Sequence, residues 1–193
     1  MSGPPEPRPE PFRLLLMCTA NQCRSPMAER IAREWLDRQG VDAQVASCGV
    51  MEGGAPASRG AVRALSRRGL DLADHRSQQV DAETLDAADL ILTMERRHLM
   101  SVGELSLPAI GRAFTLRELA EIAPTVGPRP PQLPIAQWVQ RADAMRAPGT
   151  VLTVSTEDDV PDPMGGSRRD FRRAVDEIDR LLDRILSTLF AGT

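Results

Sequence analysis

The chain has 193 residues, a length that suits one domain with a full core, or one domain plus appendages. Hydrophobic residues make up 41% and charged residues 26%, an ordinary balance for a soluble globular protein, and the net charge of −3 gives no support to nucleic-acid binding. No apolar stretch approaches the roughly 20 residues needed to cross a bilayer, so no membrane partner is expected.

Residues 1–11 are rich in proline and polar residues and read as a disordered tail without the cationic start, apolar run and cleavage site of a signal peptide. Residues 12–193 then read as a single domain. Phe12 to Met17 is a short, nearly continuous apolar run, the pattern of a strand buried on both faces, and it ends at Cys18. Thr19 to Arg24 are small or polar. Ser25-Pro26 opens a helix, with serine as N-cap and proline at the first helical position. Met27, Ala28, Ile31, Ala32, Trp35 and Leu36 recur at helical spacing, and Gly40 ends the helix. Val41 to Ser47 reads as a second strand, Gly53 to Pro56 as a turn, and Ala61 to Gly69 as a helix. Ala88 to Met94 is a third strand, preceded by a short helical stretch near Glu83 to Leu85, and Arg112 to Leu116 is a short fourth strand. Residues 168–189 form the clearest helix, with Phe171, Val175, Ile178, Leu182, Ile185 and Leu189 on one face and Ser167 with Asp170 as a capping box. Pro124 to Asp159 holds six prolines and a helical pattern from Ile135 to Arg146, and reads as an insertion, either a surface excursion or a substrate-shaping lid. Strands alternating with helices imply an α/β fold, a parallel sheet covered on both sides, with ligands beyond the carboxyl ends of the strands. Cys18 falls there.

Cys18-Thr19-Ala20-Asn21-Gln22-Cys23-Arg24-Ser25 carries the chemistry. A loop between a strand and a helix N-terminus turns backbone N–H groups inward and forms an anion cradle. Arg24 adds a two-pronged contact to phosphate oxygens. Cysteines at helix N-termini and near cations have pKa values of roughly 3.5–7.5, and the thiolate is a competent nucleophile. Ser25 is placed to donate its hydroxyl to that sulfur. The pattern points to cysteine-dependent phosphomonoester hydrolysis, with a phosphorylated protein or small phosphomonoester as partner and no cofactor. A buried structural cysteine at a strand end is the plainer alternative. No metal site is expected, because two histidines and three scattered cysteines lack ligand spacing. An odd, small cysteine count (Cys18, Cys23 and Cys48) argues against a disulfide framework and for a reducing compartment, so the cytoplasm is the expected location. Nothing in the pattern specifies an oligomeric state.

Leu-Leu-Leu-Met-Cys-Thr-Ala-Asn-Gln-Cys-Arg-Ser-Pro-Met-Ala-Glu resembles the signature of the low-molecular-weight protein tyrosine phosphatases. The resemblance continues through Val45 to Gly49, His75-Arg76-Ser77, Ala88 to Met94, and Pro161 to Ser167, which looks like the family's acid loop. It implies a three-layer α/β/α fold with a four-stranded parallel sheet and metal-free hydrolysis through a phosphocysteine intermediate. By the same resemblance Cys18 is the nucleophile, Arg24 the phosphate-binding arginine and Ser25 the thiolate's stabiliser. Thr19, Ala20, Asn21, Gln22 and Cys23 make up the loop, with Asn21, Ser47 and His75 as its polar support, and Asp162 is the general acid. Chemistry alone does not choose Asp162 over Asp158 or Asp159; Pro161 and Pro163, which stiffen the loop, favour it. Cys23, five positions after Cys18, is the expected redox partner of an oxidised Cys18. His98 is expected to be a solvated helix residue.

The chain departs from the family at the walls of the site. Met164 stands where an aromatic residue often follows Asp-Pro, the loop Val50 to Gly54 has no aromatic residue, and the chain has no tyrosine. That weakens the case for phosphotyrosine. Asp-Pro-x-Gly-Gly-Ser and Phe114-Thr115-Leu116 lean toward the protein-arginine-phosphatase branch, whereas Gln22 stands where that branch tends to have threonine. An arsenate reductase would need further cysteines, and none follows Cys48. A non-catalytic phosphate-binding module would be expected to have lost Cys18, Arg24 or the acid.

Overall fold

The computed structural model describes residues 10–146 and 156–191. Most of the expected N-terminal tail and residues 147–155 of the proline-rich segment lie outside the described residues. The elements in order are β1 (Phe12–Cys18), α1 (Arg24–Arg38), β2 (Ala43–Gly49), α2 (Arg59–Ser66), α3 (Ala82–Ala87), β3 (Leu90–Thr93), α4 (Arg96–Leu105), a 3-10 turn (Leu107–Arg112), β4 (Ala113–Thr115), α5 (Leu116–Val126), α6 (Ile135–Asp143) and α7 (Arg168–Leu189). The four strands form one parallel sheet in the order β2-β1-β3-β4.

The apolar run of β1 is continuous because both faces are covered. Leu14, Leu16 and Cys18 point into one core with Met27, Ile31, Ile178 and Leu182, while Leu15 and Met17 point into another with Leu85, Leu99 and Val102. Helices α1 and α7 pack together over the first face, α7 also packs on α2 and α5, and α3 and α4 cover the second. The expected three-layer α/β/α arrangement is the one observed. The predicted capping box of α7 is present: Ser167 accepts from Arg169 N at 3.2 Å, and the Asp170 carboxylate accepts from Ser167 N at 2.8 Å.

Three local readings change. Helix α1 starts at Arg24, not after Ser25, and has no side-chain cap, because the Ser25 hydroxyl is turned toward Cys18 instead. Strand β2 begins at Ala43 and runs on to Gly49, which pairs with Cys18 and aligns the ends of the two strands. Pro124 lies inside α5. The segment after α5 is held by Arg129, whose N–H and Nε donate to the carbonyls of Thr188 and Leu189 at 3.0 and 2.8 Å, and by Trp138 Nε1, which donates to Gly127 O at 2.9 Å. These described residues therefore sit against the far end of α7, some 33 Å of helix from its N-terminus at 1.5 Å per residue.

Candidate active site

Cys18 is the last residue of β1, and the next six residues turn the chain into α1. The turn needs one left-handed residue, supplied by Asn21 at φ 51°, a conformation asparagine tolerates better than most. Asn21 is also the hub of the loop. Its Nδ2 donates to Ser25 Oγ at 2.9 Å and to Ser47 Oγ at 2.8 Å, its Oδ1 accepts from Gln78 N at 2.8 Å, and its carbonyl lies 2.7 Å from His75 Nε2. Ser47 in turn donates to Glu29 at 2.5 Å. The geometry brings Asn21, Ser47 and His75 together as the sequence reading expected. Glu29, the glutamate of Pro-Met-Ala-Glu, completes the chain of bonds and was not anticipated.

The Ser25 hydroxyl donates to Cys18 Sγ at 3.1 Å. Gly49 lies hard against the loop: a Cβ there would come within 2.7 Å of Asn21 N and 2.8 Å of Thr19 O, so only glycine fits. Cys18, Thr19, Ala20, Gln22, Cys23 and Arg24 line one cavity of about 190 Å³. Asp162 closes it from the other side, with Met51 and Met164 at its wall.

Arg24 is 1% exposed, and both of its terminal nitrogens are aimed while Nε has no hydrogen-bond partner among the described residues. Nη1 donates to Val160 O at 2.9 Å and pairs with Glu95 at 2.5 Å, while Nη2 pairs with Asp162 at 2.8 Å. Burial alone would raise the Glu95 pKa, but the charges and hydrogen bonds of Arg24 and Arg97 outweigh it and hold the carboxyl below its usual range. The loop bearing Asp162 is tied to the sheet, because Val160 N donates to Met94 O at 2.8 Å. Asp158 and Asp159 are both spent on Arg96: Asp158 pairs with its guanidinium, and Asp159 accepts its backbone N–H at 2.8 Å. Of the three candidate acids, Asp162 is the one that lines the cavity. Its side chain is 42% exposed, and its second oxygen accepts from Met164 N at 3.1 Å.

His98 is not the solvated helix residue that its neighbours Arg96 and Arg97 imply. It is 1% exposed, because α4 turns it inward beneath the loop, where Nε2 lies 3.1 Å from Thr19 Oγ1. Burial pushes its pKa down to about 4; Glu95 opposes this and Arg24 and Arg97 add to it. Burial, then the charges of Asp162 and Cys18, push the Cys23 thiol up to about 12, despite a hydrogen bond from Ser58 and the charge of Arg24. Burial also raises Cys48. Among the described residues, no group of histidine, cysteine and carboxylate side chains could hold a metal ion, and no helix is long and apolar enough to cross a membrane.

Residues 13–124 match the family model for low molecular weight phosphotyrosine protein phosphatase. The chain is 29% identical over 180 residues to a protein-arginine-phosphatase of Geobacillus stearothermophilus, covering 93% of this chain and 97% of that one. It is 33% identical over 108 residues to the probable low molecular weight protein-tyrosine-phosphatase EpsP of Ralstonia nicotianae, covering 56% of this chain and 72% of the relative. The crystal structure of a low molecular weight protein tyrosine phosphatase from T. tengcongensis superposes with a TM-score of 0.70 at 29% identity, covering 92% of this chain and 99% of that one. By its sheet, its loop and these relatives, the chain belongs to the low molecular weight phosphotyrosine protein phosphatase family and is a cysteine-based phosphatase.

Proposed function

We propose that the chain removes phosphate from phosphorylated protein side chains, phosphotyrosine first among them, with Cys18 as nucleophile. The observation that carries the reading is that one small cavity gathers Cys18, bonded by Ser25, with the aimed guanidinium of Arg24 and the carboxyl of Asp162. Arg24 and the loop's N–H groups bind the phosphate oxygens, Arg24 as a two-pronged donor. The Cys18 thiolate attacks phosphorus. The P–O bond to the leaving group breaks, and protonated Asp162 gives its proton to the departing oxygen. The product is a phosphocysteine. Asp162, now a carboxylate, takes a proton from water as that water attacks phosphorus, the P–S bond breaks, and the Cys18 thiolate and inorganic phosphate are released. Ser25 steadies the sulfur as it leaves. Thr19, Ala20, Gln22 and Cys23 form the cradle wall, and Asn21, Ser47 and His75 hold its shape.

A second reading, phosphoarginine, is favoured by the walls. Met51 and Met164 are 55% and 49% exposed and flank the cavity where aryl-binding sites place aromatic rings. Flexible thioethers suit an unbranched aliphatic side chain at least as well as a flat ring. The curated arginine phosphatase that matches this chain nearly end to end supports the same reading. The test is turnover of phosphotyrosine, phosphoarginine and phosphoserine peptides of one sequence, in competition, by wild type and Cys18→Ser. Turnover by Cys18→Ser at a rate near wild type would refute the mechanism; the ratio of kcat/KM values decides between the substrates.

A further inference from the structure

We infer that the arginine-lined groove between α2 and the start of α7 docks an acidic segment of the phosphoprotein substrate, a role that rests on the phosphatase reading of the neighbouring site. The groove holds about 290 Å³ and is lined by Arg63 of α2, Arg67 at its C-cap, and Arg168 and Arg172 of α7, together with Phe171 and Gly166. No acidic side chain lines it, although the whole chain is acidic, at a net charge of −3. The four arginines are exposed, and none has an ion-pair partner among the described residues. The nearest carboxylate in sequence, Asp170, is committed to capping α7 through Ser167 N and Oγ, both at 2.8 Å. Four like charges set around one concavity repel one another, and an anionic occupant relieves that at low salt.

The groove is built rather than incidental. Arg63 and Arg67 are one helical turn apart and share a face. Helix α2 approaches α7 closely because residue 60 is glycine: a Cβ there would lie 2.3 Å from the Phe171 ring. The buried ring of Phe171 adds an apolar surface to the groove, one that takes the methylene stems of glutamates while the arginines meet their charge.

Its position ties it to the catalytic cavity. Ser58, which caps α2, donates its backbone N–H to Gln22 O of the phosphate loop at 2.7 Å, and Gly60 lines the groove two residues later. On the other side Gly166 follows the acid Asp162 by four residues, a span of at most about 14 Å of chain. An extended substrate held by its phosphate in the cavity therefore reaches the groove with side chains about three to five positions from the phosphorylated residue. A nucleic acid is disfavoured as the occupant, since its repeating phosphates would also meet the chain's acidic remainder.

The test separates docking from catalysis. Binding of an unphosphorylated, fluorescein-labelled Glu/Asp-rich peptide is followed by anisotropy at low salt, for wild type and for Arg63→Gln/Arg67→Gln/Arg168→Gln/Arg172→Gln. The variant should bind about tenfold more weakly, and 0.5 M salt should abolish the difference. The pair Arg63→Gln/Arg67→Gln, which leaves α7 untouched, should give an intermediate loss. With phosphopeptides, the four-site variant should raise KM for acidic flanks and leave kcat and the turnover of p-nitrophenyl phosphate unchanged. A loss smaller than threefold in peptide binding, or tighter arginine-dependent binding of a single-stranded RNA of equal charge, overturns the inference. Failure of wild type to hydrolyse p-nitrophenyl phosphate would overturn the catalytic reading instead, and the anisotropy result would still judge the groove.

Discussion

His98 should make the protein's stability fall on mild acidification by an amount that can be worked out in advance. Its ordinary pKa is 6.5, and burial beneath the loop takes it to about 4, with Glu95 opposing the change and Arg24 and Arg97 adding to it. A depressed folded pKa means that the unfolded chain binds the proton more readily. Stability from this group is therefore fully present above pH 6.5 and is lost as pH falls toward 4. Integrating between those two values gives a loss of about 2.5 kcal/mol by pH 4.5. The loss matters against a typical total of about 5–15 kcal/mol. The check is urea unfolding, followed by the fluorescence of Trp35 and Trp138, at pH 7.5 and 4.5 for wild type and His98→Gln. Glutamine can keep a bond to Thr19 but does not titrate in this range. Carboxylates that do not interact with His98 also lose stability toward acid, but they are common to both proteins and cancel in the difference. The expected result is that wild type loses about 2.5 kcal/mol more than the variant. Parallel losses would show that His98 is not held neutral by burial, and the reasoning would fail.

Arg24→Lys should reduce kcat/KM at least 100-fold on every phosphate ester, because an ammonium cannot serve Val160 O, Glu95 and Asp162 and still grip two phosphate oxygens; a loss under tenfold would refute this. Asp162→Asn should slow hydrolysis by roughly 10²–10⁴-fold on poor leaving groups and much less on good ones. An equal loss on all substrates would make Asp162 structural. Gly49→Ala should abolish turnover and lower the unfolding midpoint, because its Cβ would meet loop backbone that cannot step aside; an active, equally stable variant would count against the close approach. Cys23 and Cys18 line the same cavity, and peroxide-inactivated enzyme should recover with dithiothreitol in wild type but much less in Cys23→Ser. Because the Cys23 thiol is pushed up to about 12, formation of the disulfide from oxidised Cys18 should quicken as pH rises. Equal recovery in the two proteins would leave Cys23 as loop packing only.

What the sequence made legible was whatever lies close together along the chain. The strand, the loop and the helix start that hold Cys18 and Arg24 occupy one contiguous run, so periodicity and turn chemistry were enough to place them. Ser25 shows the limit even there. A serine before proline reads as a cap, but tertiary context turned its hydroxyl toward a sulfur, and α1 starts without a side-chain cap. Glu95 and His98 were missed for a different reason. Glu95-Arg96-Arg97-His98 looks like the charged, solvated start of a surface helix, and local pattern carries no mark of the fold that buries it. The available signal was positional: the run follows directly from the carboxyl end of a central parallel strand, where sites of this architecture form. Met51 and the four groove arginines were hidden in the same way, since each belongs to a surface made by two segments far apart in sequence. Cys18 and Arg24 were therefore readable from one short motif, whereas Asp162, far away in sequence, was singled out by the family resemblance and by its flanking prolines. The residues that shape the loop's surroundings depend on how β3, α2 and α7 meet it, and only the folded chain brings them together.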